Sequence, residues 1–230
     1  MKRRLKIMSV VGARPNFMKM APFMRQMDRH PDAFEARLVH TGQHYDAAMS
    51  SRFFDSLRIR PPDFNLGVGS GTHAEQIGRT MTEFEKVVAE WKPDWVVVPG
   101  DVNAVCACSL VAAKSHVKLA HIEAGLRSGD RTMPEETNRL IADRLSDLLF
   151  TPDEMADQNL AREGIDPSTV RRVGNIMIDT LEENREQAAK LTLEEILDSN
   201  LCDTQKIPSS GGVSAKRGGL NLAKTGFAVL

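Results

Sequence analysis

Between Trp95 and Pro99 the chain reads Trp-Val-Val-Val-Pro, with no polar side chain to turn toward water on either face, and Gly100-Asp101 follows at once. A run this short and this apolar is a strand sheltered on both sides, as strands are in a parallel sheet covered by helices. Neighbouring segments repeat the plan. Leu5–Val11 (LKIMSVV) is closed by Gly12, Glu35–Thr41 (EARLVHT) by Gly42, and Val117–Ile122 (VKLAHI) runs into Glu123-Ala-Gly125. Helical spacings lie between them. Pro15 suits a first helical turn and is followed by Phe17, Met20, Phe23 and Met24. Thr72-x-x-Glu75 fits a capping box ahead of Ile77, Met81, Phe84 and Val88, and an alanine-rich helix runs from about Ala104 to Lys114. Thr151-Pro-Asp-Glu154 predicts one more capped helix start, and Arg60-Pro-Pro62 breaks regular structure. Strand and helix alternate at least four times, which predicts an α/β fold, a Rossmann-like doubly wound parallel sheet.

Charge and composition narrow the function. The 30 Lys and Arg against 31 Asp and Glu leave a formal charge of −1. Nucleic-acid affinity rests on a basic face, so no nucleic-acid partner is expected, although a local basic pocket for one phosphate group is compatible with that balance. The basic start, Met1-Lys-Arg-Arg, is followed by an apolar run too short for a signal peptide. No stretch approaches the ~20 apolar residues of a membrane span, so the expected location is the cytoplasm, with no membrane partner. Cys106, Cys108 and Cys202 make no disulfide framework, and Cys106-x-Cys108 lacks a second ligand pair, so these read as small buried residues and no metal is expected.

In open parallel sheets ligands bind beyond the carboxyl ends of the strands, and the polar residues of this sequence gather there. The first strand delivers Arg14 and, one turn on, Lys19. The second delivers Gln43 and His44, the third Asp101, and the fourth Glu123 and Arg127. Cations suit a diphosphate, and carboxylates suit protons and sugar hydroxyls. Each has a plainer reading: Arg14 and Lys19 as surface cations, Asp101 as a cap for the next helix, Glu135 and Glu136 as first-turn acids facing the helix dipole. His40, His73, His116 and His121 read as packed or solvated side chains. Gly67, Gly69 and Gly71 do not follow the first strand, which argues against a nicotinamide dinucleotide.

Seven motifs then occur in order: Gly12-Ala-Arg-Pro-Asn-Phe-Met-Lys19, Thr41-Gly-Gln-His-Tyr-Asp46, Gly69-Ser-Gly-Thr-His-Ala-Glu75, Gly100-Asp101, His121-Ile-Glu-Ala-Gly-Leu-Arg-Ser128, Pro134-Glu-Glu-Thr-Asn-Arg139 and Val173-Gly-Asn175. Over about residues 5 to 200 the chain resembles the amino-terminal half of the non-hydrolysing UDP-N-acetylglucosamine 2-epimerase family. The resemblance implies the first domain of a two-domain, glycosyltransferase-B-like (GT-B) fold, a cytoplasmic isomerase of nucleotide sugars serving cell-surface polysaccharide biosynthesis, and a UDP-sugar as ligand. A homodimer is compatible with it. It implies elimination of UDP to a 2-acetamidoglucal and re-addition with inversion at C2, without metal or nicotinamide. By motif position, Asp101, Glu123 and Glu135 match the catalytic acids, and Arg14 and Lys19 lie near the phosphates. Gln43, His44 and Arg127 complete the expected substrate-binding set. Ala13 and Asn16 stand where the commoner form of the first motif has Thr and Glu, which leaves a different UDP-N-acetylated sugar, including a di-N-acetylated one, as an alternative.

Residues 1–178 are expected to form the Rossmann-like domain, 179–200 a long connecting helix (Asp179 to Asp198), and 201–230 a disordered or degenerate tail marked by Ser209-Ser-Gly-Gly212 and Lys216-Arg-Gly-Gly219. The resemblance places a second domain where that tail stands, so the expectation is a truncated product with weak or absent activity. The competing reading is a non-catalytic remnant or a partner module of a full-length homologue.

Overall fold

The computed structural model describes residues 3–42, 57, 59–190 and 192. Its elements alternate as the sequence predicts. Strand β1 (Leu5–Val11) leads to helix α1 (Arg14–Arg29), β2 (Phe34–His40), the short β3 (Phe64–Asn65) and α2 (His73–Trp91). Then come β4 (Trp95–Pro99), α3 (Asn103–Lys114), β5 (Lys118–Ile122), α4 (Pro134–Leu145), β6 (Leu148–Thr151), α5 (Glu154–Arg162), β7 (Val170–Arg172) and α6 (Ile176–Ala188). All seven strands are parallel, in the order β3-β2-β1-β4-β5-β6-β7. The order reverses between β1 and β4, the switch point at which such sheets open a crevice for ligands.

Period-two alternation decides which face each side chain covers. Ile7 and Val11, Val97, Ala120 and Ile122 pack under α1 through Phe17, Met20, Ala21 and Met24. Met8 and Val10, Val96, Val98 and Leu119 pack on the other face, against Phe84 and Val88 of α2, Val105, Cys108 and Val111 of α3, and Ala142 of α4. Both faces are covered, so the sheet is doubly wound. Cys106 and Cys108 are buried in α3 as small core residues, and burial pushes both thiols up.

Local chemistry sets the helix starts. Thr72 accepts from the Glu75 amide at 3.3 Å while Glu75 accepts from the Thr72 amide at 2.9 Å, a reciprocal capping box for α2. The cap expected at Thr151 is displaced. Thr151 ends β6 and donates to Asp157 at 2.5 Å, and Asp153 caps α5 by accepting from the Ala156 amide at 2.8 Å. The carboxylate of Asp153 stands one residue before the helix and outcompetes the hydroxyl further back.

The chain divides into two units at Arg185/Glu186, and all seven strands belong to the first. Helix α6 starts at Ile176, earlier than the expected Asp179, because the Asn175 side chain accepts from the Met177 amide at 2.9 Å. It ends at Ala188 with a turn at 189–190, and residues 191 and 193–200 of the expected connecting helix lie outside the described residues. Thr180 donates to the Met18 carbonyl at 2.6 Å and Arg25 pairs with Glu183, which lays α6 along α1. The expected tail, 201–230, lies outside the described residues.

Candidate active site

The carboxyl edge of the sheet at the switch point brings α1, the end of β4 and the end of β5 together. Lys19 of α1 reaches across to Glu123, with Nζ 2.5 Å from Oε2 and both side chains only 12–13% exposed. Gly100 makes this crossing feasible. A Cβ built there would lie 2.7 Å from the lysine nitrogen, and the residue sits at φ +72, where glycine carries no penalty. Asn16 braces the same corner: its amide donates to the Pro99 carbonyl at 2.9 Å, and its oxygen accepts from the amides of Gly12 and Ala13. This single buried side chain ties the end of β1 to the end of β4.

Glu123 stands at φ +66, a left-handed conformation that costs a branched or long side chain about 1–3 kcal/mol. Strain of that kind persists where the surroundings fix the backbone, and here they do. Two residues on, the Gly125 amide donates to the buried carboxylate of Asp143 at 3.0 Å.

Asp101 is held from α4. Arg139 donates to Oδ2 from Nε at 3.0 Å and again from Nη2, and Asn138 donates to the Asp101 carbonyl at 2.8 Å. Capping of the next helix does not explain Asp101, because the N-cap of α3 is Val102 and no side chain bonds there. Two of the candidate acids are thus each paired with a cation: Lys19 with Glu123, Arg139 with Asp101.

Of the paired glutamates, Glu136 turns inward. It is 3% exposed and accepts from the amides of Ser128 and Gly129 and from Arg139 at 2.8 Å. Burial alone raises its carboxyl, but these donors outweigh it and hold the group below the usual range. Glu135 is half-buried in the first turn of α4.

Beneath the rim lies a buried charge network. Asp143, 1% exposed, faces His121 Nδ1 at 2.6 Å and Arg127 Nη1 at 2.7 Å. His121 Nε2 donates to the Gly100 carbonyl at 2.7 Å. Both ring nitrogens thus face oxygen atoms of the network.

The structure thus joins Lys19, Asp101 and Glu123 in one locality with Glu135 on the adjoining helix. Arg127 is differently occupied. Its guanidinium is shared among Asp143, both carboxylate oxygens of Glu163 (2.7 and 2.6 Å) and the Leu126 carbonyl, so its donors serve the fold. Arg14 opens α1, and Gln43 and His44 lie outside the described residues. Sequence reasoning passed over Asn16, Asn138, Arg139 and Asp143. Asn16, Asn138 and Arg139 fell inside recognised motifs, and Asp143 was signalled only as a carboxylate one turn beyond Arg139 on the face that buries Ala142.

Glu123 also lines a hollow of about 210 Å³ with Phe23, Phe150, Ile176 and Asp179. A larger hollow, about 670 Å³, lies at the amino edge of the sheet beside Lys86, Lys92 and Val117. Size alone does not favour it, because open parallel sheets bind ligands beyond the carboxyl ends of their strands.

The family described as UDP-N-acetylglucosamine 2-epimerase matches residues 25–207. A UDP-N-acetylglucosamine 2-epimerase homolog of Methanococcus maripaludis is 49% identical over 177 residues, which cover 77% of this chain and 48% of that protein. A UDP-2,3-diacetamido-2,3-dideoxy-D-glucuronate 2-epimerase of Pseudomonas aeruginosa is 43% identical over 178 residues, 76% of this chain and 50% of that protein. Among solved structures, the UDP-GlcNAc 2-epimerase of Methanocaldococcus jannaschii in complex with UDP-GlcNAc and UDP superposes with a TM-score of 0.80 at 42% identity, over 85% of this chain and 54% of that one. The chain spans about half the length of the curated relatives it matches.

Proposed function

This chain belongs to the UDP-N-acetylglucosamine 2-epimerase family, and on that premise we propose that it supplies the acid–base half of a site interconverting UDP-N-acetylglucosamine and UDP-N-acetylmannosamine. The observation that carries the reading is the Lys19–Glu123 pair seated against Gly100, with Asp101 beside it at the switch point of the sheet.

The chemistry asks for this grouping. The C2 hydrogen of the sugar has no carbonyl beside it to stabilise a carbanion, so simple proton exchange is unfavourable. Departure of UDP from C1 removes that obstacle. As the C1–O bond breaks, a carboxylate takes the C2 proton and the electron pair forms the C1–C2 double bond of a 2-acetamidoglucal. Re-addition of UDP at C1 with protonation of C2 from the opposite face gives the epimer, with atoms and electrons balanced. Two acids on one rim suit the two proton transfers, and Lys19, with Arg14 at the start of α1, suits the diphosphate charge. Glu123, Asp101 and Glu135 are the candidates for the C2 proton.

The same reading puts the protein in the cytoplasm as a supplier of precursors for cell-surface polysaccharide, with a homodimer as a candidate assembly. It agrees with the described residues forming no helix long and apolar enough to cross a membrane. A second reading, a substrate carrying two acetamido groups, is favoured by the Pseudomonas aeruginosa relative and by Ala13 and Asn16 in the first motif.

Calorimetric titration of UDP-N-acetylglucosamine, its C2 epimer and the diacetamido analogue into the purified chain tests the reading. A saturable heat with one of them is expected, and Lys19→Met should weaken that binding by about tenfold or more. Silence with all three would contradict it.

A further inference from the structure

Among the described residues, Lys19 is the cation that pairs with Glu123, and it is also the cation the nucleotide-sugar reading assigns to the diphosphate. One ammonium cannot give its full charge to both anions. The surroundings say which partner moves. Glu123 is fixed: its backbone is locked at φ +66, and the loop behind it is tied to Asp143 through Gly125. Lys19 stands on a four-carbon stem, with three donors that can turn. Its nitrogen lies over Gly100, where no side chain occupies the space a Cβ would take 2.7 Å away.

We propose that Lys19 serves two anions in turn, holding Glu123 until a nucleotide diphosphate arrives and then passing to the phosphates, so that substrate binding itself releases the Glu123 carboxylate for proton transfer. The carboxylate oxygen held by the ammonium at 2.5 Å is engaged, and freeing it only when the leaving group is held would couple deprotonation to UDP departure. The inference rests on the nucleotide-sugar reading for its ligand. It adds that Glu123 and the diphosphate compete.

Competition reverses the usual sign of a site mutation. If Glu123 were a static ion-pair partner or a direct contact to the ligand, Glu123→Gln would weaken anion binding or leave it alone. Under exchange, removing its charge frees Lys19, and binding of UDP and of inorganic pyrophosphate to the full chain should tighten by about fivefold or more. Lys19→Met should erase that gain, so that the double variant binds no better than Lys19→Met alone. Asp101→Asn controls for the general loss of negative charge, because Asp101 is held by Arg139 and not by Lys19. Its effect should be distinctly smaller. Should Glu123→Gln prove poorly folded by circular dichroism, Glu123→Gly suits the positive φ and frees Lys19 equally.

Unchanged or weaker binding in the Glu123 variant, with the unaltered chain still binding UDP, would overturn the exchange and leave the family reading standing. An equal gain in Asp101→Asn, or a gain that survives Lys19→Met, would also overturn it. Absence of UDP and pyrophosphate binding in every variant would overturn both.

Discussion

Replacing Asp143 with alanine should destabilise the chain by about 3–5 kcal/mol, measured by urea unfolding. Asp143 faces His121, Arg127 and the Gly125 amide at once, from a position 1% exposed. Arg127 would keep Glu163, but His121 Nδ1 and the Gly125 amide would face a vacated space with no partner, buried beside the Gly100 carbonyl. Asparagine should cost roughly half as much. Its oxygen can still accept from Gly125 and Arg127. The two variants also differ from the parent in pH dependence. Burial pushes the Asp143 carboxyl up, but the contacts with His121 and the Arg127 guanidinium outweigh burial and hold it below the usual carboxylate range. A depressed carboxyl contributes stability above its unfolded value, about pH 3.9, and loses it as pH falls through the lower folded value. The gap between parent and Asp143→Asn should therefore be full at neutral pH and shrink only below about pH 4.

Gly125→Ala should be comparably damaging, by about 2–5 kcal/mol. At φ +80 an L side chain costs about 1–2 kcal/mol. The added Cβ would also lie 2.5 Å from the Ala156 carbonyl oxygen and 2.9 Å from its carbon, which are backbone atoms of α5 and cannot rotate away. Crowding of this kind adds about 1–3 kcal/mol. Gly129→Ala separates the two contributions. It shares a positive φ of 73 but meets nothing within 4 Å, so only the conformational cost of about 1–2 kcal/mol applies. Equal losses at the two positions would mean that the close approach of the 123–127 loop to α5 is wrongly placed.

These two positions also show what the sequence could and could not reveal. Buried strands announce themselves because a parallel sheet covered on both faces leaves no room for polar side chains, and Trp95–Pro99 is the plainest example. Residues at strand ends announce themselves because the geometry of the fold directs them to one edge, so Lys19, Asp101 and Glu123 were legible before any coordinates. Arg127 satisfied the same rule and yet is taken up by Asp143 and Glu163, since position on an edge does not say which acids lie within reach. Pairings such as Arg139 with Asp101, and Asp143 with His121, join residues far apart in the chain. A helix pattern shows that Asp143 lies on a buried face but not what it meets there. His121 is packed, as its inward position in an otherwise apolar strand suggests, but its partners, Asp143 and the Gly100 carbonyl, were not legible. The helix starting at Thr151 failed on competition between two adjacent caps, a matter of one residue that spacing does not resolve.

The central claim is that a nucleotide sugar engages the rim where β1, β4 and β5 end. Amide chemical-shift mapping of the nitrogen-15-labelled chain during titration with UDP-N-acetylglucosamine tests it directly. The largest shifts are expected at Gly12 and Ala13, Gly100 and Asp101, and Glu123 through Gly125, with the amino edge near Lys92 and Val117 unaffected. Shifts concentrated at that opposite edge, or none at the rim under saturating ligand, would contradict it.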